Sequence, residues 1–178
     1  MIERVLGRLK GLASEVIITA NAPQNYRYLG LPLVADLIPN RGALGGLYTA
    51  LSVAQAPLVA VIACDMPFVN PRLLTYQRDL LGDSQWDAAI PRTEEGTEPF
   101  HAIYRKSTSL PAVENAIQSD KWRVDAWFGL VNIRFLTSQE LAQYDPQHRA
   151  FWNVNTPEEL QEAERVVSEV KGFSNDWE

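Results

Sequence analysis

The sequence predicts an α/β protein, with a mostly parallel β-sheet and helices on both of its faces. Two continuous apolar runs, residues 16–20 (VIITA) and 58–64 (LVAVIAC), have the length and the β-branched content of strands. Such runs are typical of parallel sheets, because helices then bury both faces of each strand. The length of 178 residues favours one domain, which we expect to cover residues 1–171, with a frayed tail over residues 172–178.

The first half of the chain is predicted to alternate helices and strands. In chain order, the expected elements are a helix ending near Gly11, strands at 16–20 and 33–35, a helix after residues 42–46, a strand at 58–64 and a helix from Asn70. The first helix is indicated by apolar residues that recur at helical spacing from Ile2 to Leu12. Asn70 and Pro71 suit the start of the last helix, as its N-cap and its first residue.

The second half is predicted to begin with a hairpin and to end with a helix. Strands at 87–92 and 100–105 flank residues 93–99 (TEEGTEP), which we expect to form a mobile hairpin or lid loop. The remaining expected elements are a helix from about Pro111, a helical stretch at 122–130, strands at 131–136 and 151–154, and a last helix from Pro157. Thr156 and Glu159 have the spacing of a capping box at the start of that last helix.

Composition excludes several classes of protein. The formal net charge of −6 argues against a nucleic-acid partner, since a phosphate backbone requires a basic face. No apolar run reaches the ~20 residues that cross a bilayer, and no signal peptide is evident, so we expect a cytoplasmic protein without membrane contact. The single Cys64 excludes an intrachain disulfide, and we expect it to be a small buried thiol, not a nucleophile. His101 and His148 are expected to be ordinary surface or loop residues.

Polar side chains stand at the predicted carboxyl ends of several strands. They are Asn21, Asp36, Asp65, Asn153 and Asn155, and the glycine-rich residues 42–46 (GALGG) lie directly before a helix. Ligands bind at this edge of an open α/β sheet. A buried carboxylate such as Asp65 needs a partner, which can be a backbone N–H, a cation or a metal ion. Each cluster taken singly also fits a turn or a helix cap, but their coincidence at one edge favours a binding site.

Four segments together resemble the molybdenum cofactor guanylyltransferases, which belong to the nucleotidyltransferases with a Rossmann-like fold. The segments are residues 16–21 (VIITAN), 33–47 (LVADLIPNRGALGGL), 63–71 (ACDMPFVNP) and 151–160 (FWNVNTPEEL). ACDMPF alone marks only the wider nucleotidyltransferase group, whereas its combination with GALGG and NVNTPEEL indicates the guanylyl-transferring branch. The resemblance covers nearly the whole chain and implies a Rossmann-like nucleotidyltransferase fold.

The resemblance implies transfer of GMP from GTP to molybdopterin-bound molybdenum, which gives the guanine dinucleotide cofactor and pyrophosphate. It implies that Asp65 is the catalytic residue and binds Mg²⁺, an ion that keeps several waters and needs only one or two protein carboxylates beside substrate phosphates. The implied nucleotide-binding residues are Thr19, Asn21, Asp36, Gly42, Gly45, Gly46 and Asp65. The implied molybdopterin-binding residues are Asn153, Asn155 and Arg123, although a solvated arginine is an equally good interpretation of Arg123. Chaperones or cofactor-insertion proteins of particular molybdoenzymes are further partners compatible with this role.

The family pattern begins before this chain does, with a central strand and a signature loop of the form L-A-G-G-x-S-x-R-M-G-x-x-K. The resemblance implies that this loop holds the triphosphate, and residues 1–4 align inside the helix that follows it. We therefore expect the first strand and the signature loop to be missing, which leaves unpaired strand edges and an open slot against two helices. We also expect weak catalysis, because loss of one charge-stabilising donor costs about 10²–10³ in rate. A shortened enzyme and a degenerate relative both fit this pattern.

Two other functions remain open at the level of the sequence. A nucleotidyltransferase of the same fold that uses CTP or a sugar phosphate fits ACDMPF, but GALGG and NVNTPEEL disfavour it. A non-catalytic module that holds the pterin cofactor or a partner protein fits the absent loop. The retained aspartates and asparagines disfavour that module, since a protein released from catalysis needs no metal-binding carboxylate.

Overall fold

A computed structural model describes residues 1–82 and 84–173 of the chain, with residues 169–173 described by their backbone alone. The helices are α1 (Ile2–Arg8), α2 (Gly42–Val53), α3 (Pro71–Leu81), α4 (Lys106–Gln118), α5 (Ser138–Tyr144) and α6 (Pro157–Phe173). The strands are β1 (Ile18–Thr19), β2 (Leu33–Val34), β3 (Leu58–Ile62), β4 (Ala88–Pro91), β5 (His101–Arg105) and β6 (Ile133–Leu136). Two further segments, Pro23–Leu29 and Phe128–Leu130, are 3₁₀-helical. None of the described helices combines the length and the apolarity that crossing a bilayer requires.

The described strands form two sheets. β1 and β2 pair in parallel, with Ile18 opposite Leu33, and the other four strands form a sheet in the order β3-β5-β4-β6. β5 runs antiparallel to β3 and to β4, whereas β4 and β6 are parallel. The predicted α/β fold is confirmed, and the larger sheet is mixed rather than mostly parallel. The reason is that the short connection between β4 and β5 can join only antiparallel neighbours.

Helices cover both faces of the four-stranded sheet, as predicted. On β5, Ala102 and Tyr104 pack into an apolar cluster with α2 and α4. Ile103, between them in sequence, packs into a second cluster with α1, α3 and α5. Successive residues of a strand point to opposite faces, so β5 contributes to two apolar layers and is fully enclosed.

Side-chain caps fix the starts of three helices. The Asn70 side chain accepts a hydrogen bond from the Leu73 N–H at 3.1 Å, which confirms the predicted N-cap of α3. Glu159 N–H donates to the Thr156 hydroxyl at 3.1 Å, as expected for the predicted capping box of α6. α5 was missed, although Thr137 and Glu140 form a full capping box before it.

Several predicted boundaries differ from the structure. α4 begins at Lys106, so Pro111 lies inside it, and only Phe128–Leu130 of the predicted 122–130 stretch is helical. The predicted strand at 151–154 is wrong: this segment has one backbone bond to a neighbouring chain segment, from Val154, where a strand would have a row of them. α6 extends through Phe173, two residues into the predicted tail, and residues 174–178 lie outside the described residues.

Two side chains have the opposite exposure to the one expected. His101 is fully buried because β5 lies between β3 and β4, and its Nε2 accepts a hydrogen bond from the Asn70 N–H at 3.1 Å. Cys64 is exposed, since it follows β3, whose outer edge has no neighbouring strand in the described sheet. His148 is exposed, as predicted.

Candidate active site

The predicted site residues gather where β1, β2 and β3 end. The backbone N–H of Gln55, three residues before β3, donates to the carboxylate of Glu15, three residues before β1, at 3.2 Å. The amino ends of β1 and β3 therefore lie together, so the two strands run in the same direction. β2 is parallel to β1. The three carboxyl ends thus share one edge, where Thr19, Asp36 and Asp65 are found.

Asp65 stands three residues beyond β3 and has a carboxylate oxygen that the protein leaves unsatisfied. Its Oδ1 atom is buried and accepts no hydrogen bond from any described residue. No ion pair in the described part of the chain includes Asp65. A buried, unpaired carboxylate oxygen is unfavourable. The local structure therefore fits a cation or a hydrogen-bond donor that a ligand would supply.

The segment before α6 is held against Asp65. The Val154 N–H donates to the backbone carbonyl of Asp65 at 2.9 Å, so Asn153 and Asn155, on either side of Val154, are brought next to Asp65. Both asparagines are exposed. The carboxylate of Glu159 accepts the backbone N–H of Asn155 at 2.7 Å. Helix capping thus explains the backbone of this segment and leaves the asparagine side chains available to a ligand.

A cavity of about 680 Å³ opens between β1 and β3, beside Asp65. Its lining is mostly apolar and comes from α1, α2, α3 and the two strands, with Thr19 and Asp65 at the carboxyl ends. This volume lies within the ~300–1,000 Å³ of small-molecule sites. This cavity, called the slot below, is lined by β1 on one side and by β3 on the other.

The Cys64 thiol also lines this cavity. Partial burial raises the pKa of the thiol, and the neighbouring Asp65 carboxylate raises it further. A raised pKa keeps the thiol protonated at neutral pH, and the thiolate is the nucleophilic form. The raised pKa disfavours the nucleophilic thiolate, and Cys64 is exposed where we expected a buried residue.

The glycine-rich segment forms the first turns of α2, and its glycines have different surroundings. A Cβ on Gly45 would lie 2.8 Å from the Arg41 Cβ and 3.1 Å from the Ile38 carbonyl oxygen, so the close neighbours of Gly45 belong to the chain itself. Gly42 has a φ of +53°, and a Cβ on Gly42 or Gly46 would meet no atom within 4 Å. Gly42 and Gly46 are therefore the two glycines that leave open space for a ligand.

The turn after β2 is fixed to α2 by a side chain that sequence reasoning missed. The Leu37 N–H donates to the Thr49 hydroxyl at 3.0 Å, and Thr49 donates to the Gly45 carbonyl at 2.9 Å. These bonds hold Asp36, which is half-buried, at the same edge as Asp65. Asn21, beyond β1, is exposed.

Arg123 lies in the exposed segment before the second 3₁₀ helix and is already paired. Its guanidinium donates two hydrogen bonds to Asp125, at 2.9 and 2.7 Å, and this pairing lowers the pKa of the Asp125 carboxyl. The Arg41 guanidinium packs over the ring of the adjacent Trp122, with 4.5 Å between its Cζ and the ring centroid. This contact connects the segment to the start of α2. A ligand would have to draw Arg123 away from Asp125, and exposed pairs of this kind contribute little stability.

An aromatic and cationic cluster beside Asp65 was not predicted. Phe68 and Trp152 stack with ring centroids 5.4 Å apart, and the Arg4 guanidinium lies 5.4 Å from the Phe68 ring. The Nε of Arg4 donates to the Pro67 carbonyl at 3.1 Å. The sequence did contain a signal for this stack. Phe68 lies in the segment ACDMPF and Trp152 lies in the segment FWNVN, and both segments contribute residues to the candidate site.

Comparison with known families assigns residues 1–128, well over half of the chain, to the family described as MobA-like NTP transferase domain. The chain belongs to this family. A curated relative, the probable molybdenum cofactor guanylyltransferase of Pelotomaculum thermopropionicum, is 36% identical over 177 residues, which are 99% of this chain and 84% of the relative. The predicted resemblance is thereby confirmed.

Solved structures agree with this membership of the MobA-like family. Molybdopterin-guanine dinucleotide biosynthesis protein A from Archaeoglobus fulgidus matches with a TM-score of 0.78 and 26% identity, over 94% of this chain and 85% of that one. A 2-C-methyl-D-erythritol 4-phosphate cytidylyltransferase from Thermus thermophilus matches with a TM-score of 0.67 and 15% identity, over 93% of this chain and 88% of that one. At that identity, the cytidylyltransferase shows only that the fold is shared.

Proposed function

We propose that this chain transfers GMP from GTP to molybdopterin-bound molybdenum, forming the guanine dinucleotide cofactor and releasing pyrophosphate. The names of its relatives support this reaction. The observation that carries the proposal is the unsatisfied Oδ1 of Asp65 at the shared carboxyl edge of β1, β2 and β3. No other carboxylate oxygen among the described residues is both buried and unpaired.

The residues at this edge fit a magnesium ion. No group of three or more His, Cys, Asp and Glu side chains gathers in the described part of the chain. Mg²⁺ does not need such a group, because it keeps several waters and is held by one or two carboxylates together with substrate phosphates. A bound Mg²⁺ would neutralise negative charge on the phosphates during GMP transfer. Asp65 is the residue that we expect to hold it.

The remaining site residues are proposed to bind the two substrates on either side of Asp65. Asp36, Thr19 and Asn21 would contact the nucleotide, beside the open surface at Gly42 and Gly46. Asn153 and Asn155 would contact molybdopterin, since the bond between Val154 and Asp65 brings them to the same point. Arg123 would join them by exchanging Asp125 for a substrate phosphate. The reaction needs no general base, because the attacking phosphate is already ionised, and His101 is fully buried with its Nε2 bonded to the Asn70 N–H.

GTP binding and single-turnover product formation separate the binding step from the chemical step, which steady-state turnover does not. Both are therefore measured on the 178-residue chain.

The decisive experiment compares the wild-type chain with Asp65→Asn and with Glu114→Gln, a control on the exposed surface of α4. GTP affinity is measured calorimetrically with Mg²⁺ and with a chelator, and pyrophosphate and guanine dinucleotide are quantified after addition of the molybdenum cofactor. Mg²⁺ should strengthen GTP binding to the wild-type and Glu114→Gln chains and not to Asp65→Asn. The same Mg²⁺ dependence in all three chains would remove Asp65 as the metal ligand. Absence of guanine dinucleotide from every chain would contradict the proposed reaction.

A second candidate function is a non-catalytic module that binds the pterin cofactor, which the exposed side chains of Asn153 and Asn155 would also suit. Binding of the cofactor without any GTP binding would support this module. Strong competition by CTP against GTP would instead indicate another nucleotidyltransferase of the same fold. For the leading function, we also propose a cytoplasmic location and transient contact with chaperones or cofactor-insertion proteins of molybdoenzymes.

A further inference from the structure

The loop that carries the candidate metal ligand is held by side chains from a distant part of the chain. Residues 65–70 lie between β3 and α3 and form neither a helix nor a strand. Within this loop, the Pro67 carbonyl accepts the Nε–H of Arg4 at 3.1 Å, and the Val69 carbonyl accepts the Nε–H of Arg8 at 2.6 Å. Both carbonyls belong to buried residues. The two arginines therefore supply partners that buried backbone groups need and that an irregular loop does not provide for itself.

The position of α1 explains why both arginines reach the loop. They are four residues apart in the helix, and side chains at this spacing lie next to each other on one helix face. Val5, between them in sequence, is buried in the same apolar cluster as Val69 of the loop. Apolar packing thus docks α1 beside the loop, and the two guanidinium groups bond to the loop backbone.

Neither arginine is held in place by an acidic partner. No ion pair in the described part of the chain includes Arg4 or Arg8. Burial lowers the pKa of both guanidinium groups, and the nearby Arg4 charge lowers the pKa of Arg8 further. The Asp145 carboxylate acts in the opposite direction on Arg8 but accepts its own hydrogen bonds from the N–H groups of Arg149 and Ala150. The loop carbonyls are thus the bonded partners of both arginines, and a charged donor forms a bond about twice as strong as a neutral one.

Arg4 also joins the loop to the segment that precedes α6. Its guanidinium lies over the Phe68 ring, and Phe68 stacks on Trp152. Trp152 directly precedes Asn153, one of the two asparagines beside Asp65. Arg4 therefore contacts the loop twice, once through the backbone and once through an aromatic ring that reaches the neighbouring segment.

The carboxylate of Asp65 needs such an anchored loop. Its Oδ1 is buried without a hydrogen-bond donor, so a movement of the loop that brought this oxygen to water would lower its energy. The bonds to the Pro67 and Val69 carbonyls, together with the bond from the Val154 N–H to the Asp65 carbonyl, oppose that movement. The unsatisfied oxygen is thus kept where an incoming cation can use it.

We propose that Arg4 and Arg8 are positioning residues for Asp65, which fix the loop backbone so that the carboxylate is ready to bind Mg²⁺ together with the phosphates of GTP. This inference rests on the proposed function, because it concerns the metal ion of that reaction. The arginines act through the loop, and neither is assigned a contact with a substrate. Groups that orient a metal ligand from behind typically contribute about 10–100-fold to metal affinity.

The test measures how strongly Mg²⁺ enhances GTP binding in Arg4→Met and Arg8→Met. Methionine keeps an unbranched apolar stem and removes both the charge and the donor. The matched control is Lys10→Met, because Lys10 is exposed and has no hydrogen bond or ion pair in the described part of the chain. GTP affinity is measured calorimetrically with Mg²⁺ and with a chelator, and the ratio of the two affinities is the Mg²⁺ effect. Each arginine variant should reduce this effect about ten-fold, whereas Lys10→Met should leave it unchanged.

A double-mutant cycle separates positioning of Asp65 from a general structural role. Arg4→Met is combined with Asp65→Asn, and GTP affinity in Mg²⁺ is compared across the four chains. If Arg4 acts through Asp65, its replacement should no longer change that affinity once Asp65 is replaced, so the two effects are not additive. A general loss of structure would lower the affinity by the same factor in both backgrounds.

Three results would overturn the positioning role, and they differ in what else they remove. An undiminished Mg²⁺ effect in both methionine variants would leave Asp65 as the metal ligand and exclude the arginines. Equal losses with and without Asp65 would show that the arginines do not act through it. Absence of a Mg²⁺ effect in the wild-type chain would remove the proposed metal site as well. Urea denaturation identifies any methionine variant that does not fold, and Arg4→Lys or Arg8→Lys, which keeps a charged donor, then takes its place with a smaller expected loss.

Discussion

The two edges of β3 show how differently one strand can be surrounded. Toward β5, every residue from Leu58 to Ile62 has a partner across the sheet, and the strands beyond are closed by helices on both faces. Toward β1, the same residues face an open cavity and Ala60 is exposed. The same apolar residues form both edges. The burial of a strand therefore depends on which segments lie beside it, and its apolar sequence alone does not show whether both edges are covered.

The largest expected difference in stability is between alanine substitutions of two isoleucines, one in the closed four-stranded sheet and one at the cavity beside β1. Ile90→Ala should lower the free energy of unfolding by ~2–5 kcal/mol, because Ile90 of β4 is fully buried and its replacement leaves a cavity. Ile17→Ala, at the half-buried lining of the slot, should cost less than about 1.5 kcal/mol, since that space is already open. Urea denaturation measures both. Equal losses would mean that the slot is as well packed as the closed sheet.

The closed side should also make stability depend on pH through His101. Burial lowers the pKa of His101 to about 4; a backbone hydrogen bond and the Asp145 carboxylate act in the opposite direction, and Arg8 lowers the pKa further. The unfolded chain, with an ordinary histidine pKa, binds more protons between those two values. The stability contribution is therefore full above pH ~6.5 and is lost as the pH falls toward 4, by about 3 kcal/mol in total.

Denaturation of the wild type and of His101→Gln at several pH values checks this dependence. A glutamine can still accept the hydrogen bond from the Asn70 N–H but does not titrate. The difference between the two chains should shrink or change sign as the pH falls from 6.5 to 4. A difference that stays constant with pH would show that His101 does not titrate as its burial predicts.

The smallest expected effect distinguishes the two sides by adding methyl groups. Ala89→Val, in fully buried β4, should destabilise the protein by ~1–3 kcal/mol through overpacking. Ala60→Val, facing the slot, should be neutral or stabilising by a few tenths of a kcal/mol, because valine suits a strand better than alanine. Thermal unfolding of the pair measures the sign of each change. Destabilisation of similar size at both positions would indicate that the slot is closed in solution.

Local signals predicted most of the elements that the structure contains. Periodicity gave α1 and α2, continuous apolar runs gave β3, and the Asn70-Pro71 pair gave the start of α3. Boundaries were less accurate where two signals competed, as at Pro111, which looked like a helix start and lies inside α4. The apolar residues of segment 151–154 predicted a strand. A strand also needs a neighbouring strand with an unpaired edge, and the described structure places none beside this segment.

For the candidate site, sequence motifs predicted the individual residues, and the fold determined which of these residues lie close together. The strand-end rule predicted one shared edge for Asp36 and Asp65, and the hydrogen bond from the Gln55 N–H to the Glu15 carboxylate supports it. The bond from Val154 to Asp65 brings Asn153 and Asn155 to that edge. By contrast, the Phe68–Trp152 stack and the role of Thr49 join residues far apart in the chain. Such contacts carry no local periodicity or cap signal.

The amino-acid sequence by itself determined the α/β class, the caps of α3 and α6 and the identity of the acidic and asparagine side chains, because these depend on residues within a few positions of one another. Only the tertiary structure decided that β5 encloses His101 and that Cys64 is exposed. Those features depend on which segments lie side by side, and hydrogen bonds between strands are made by backbone groups that every sequence shares.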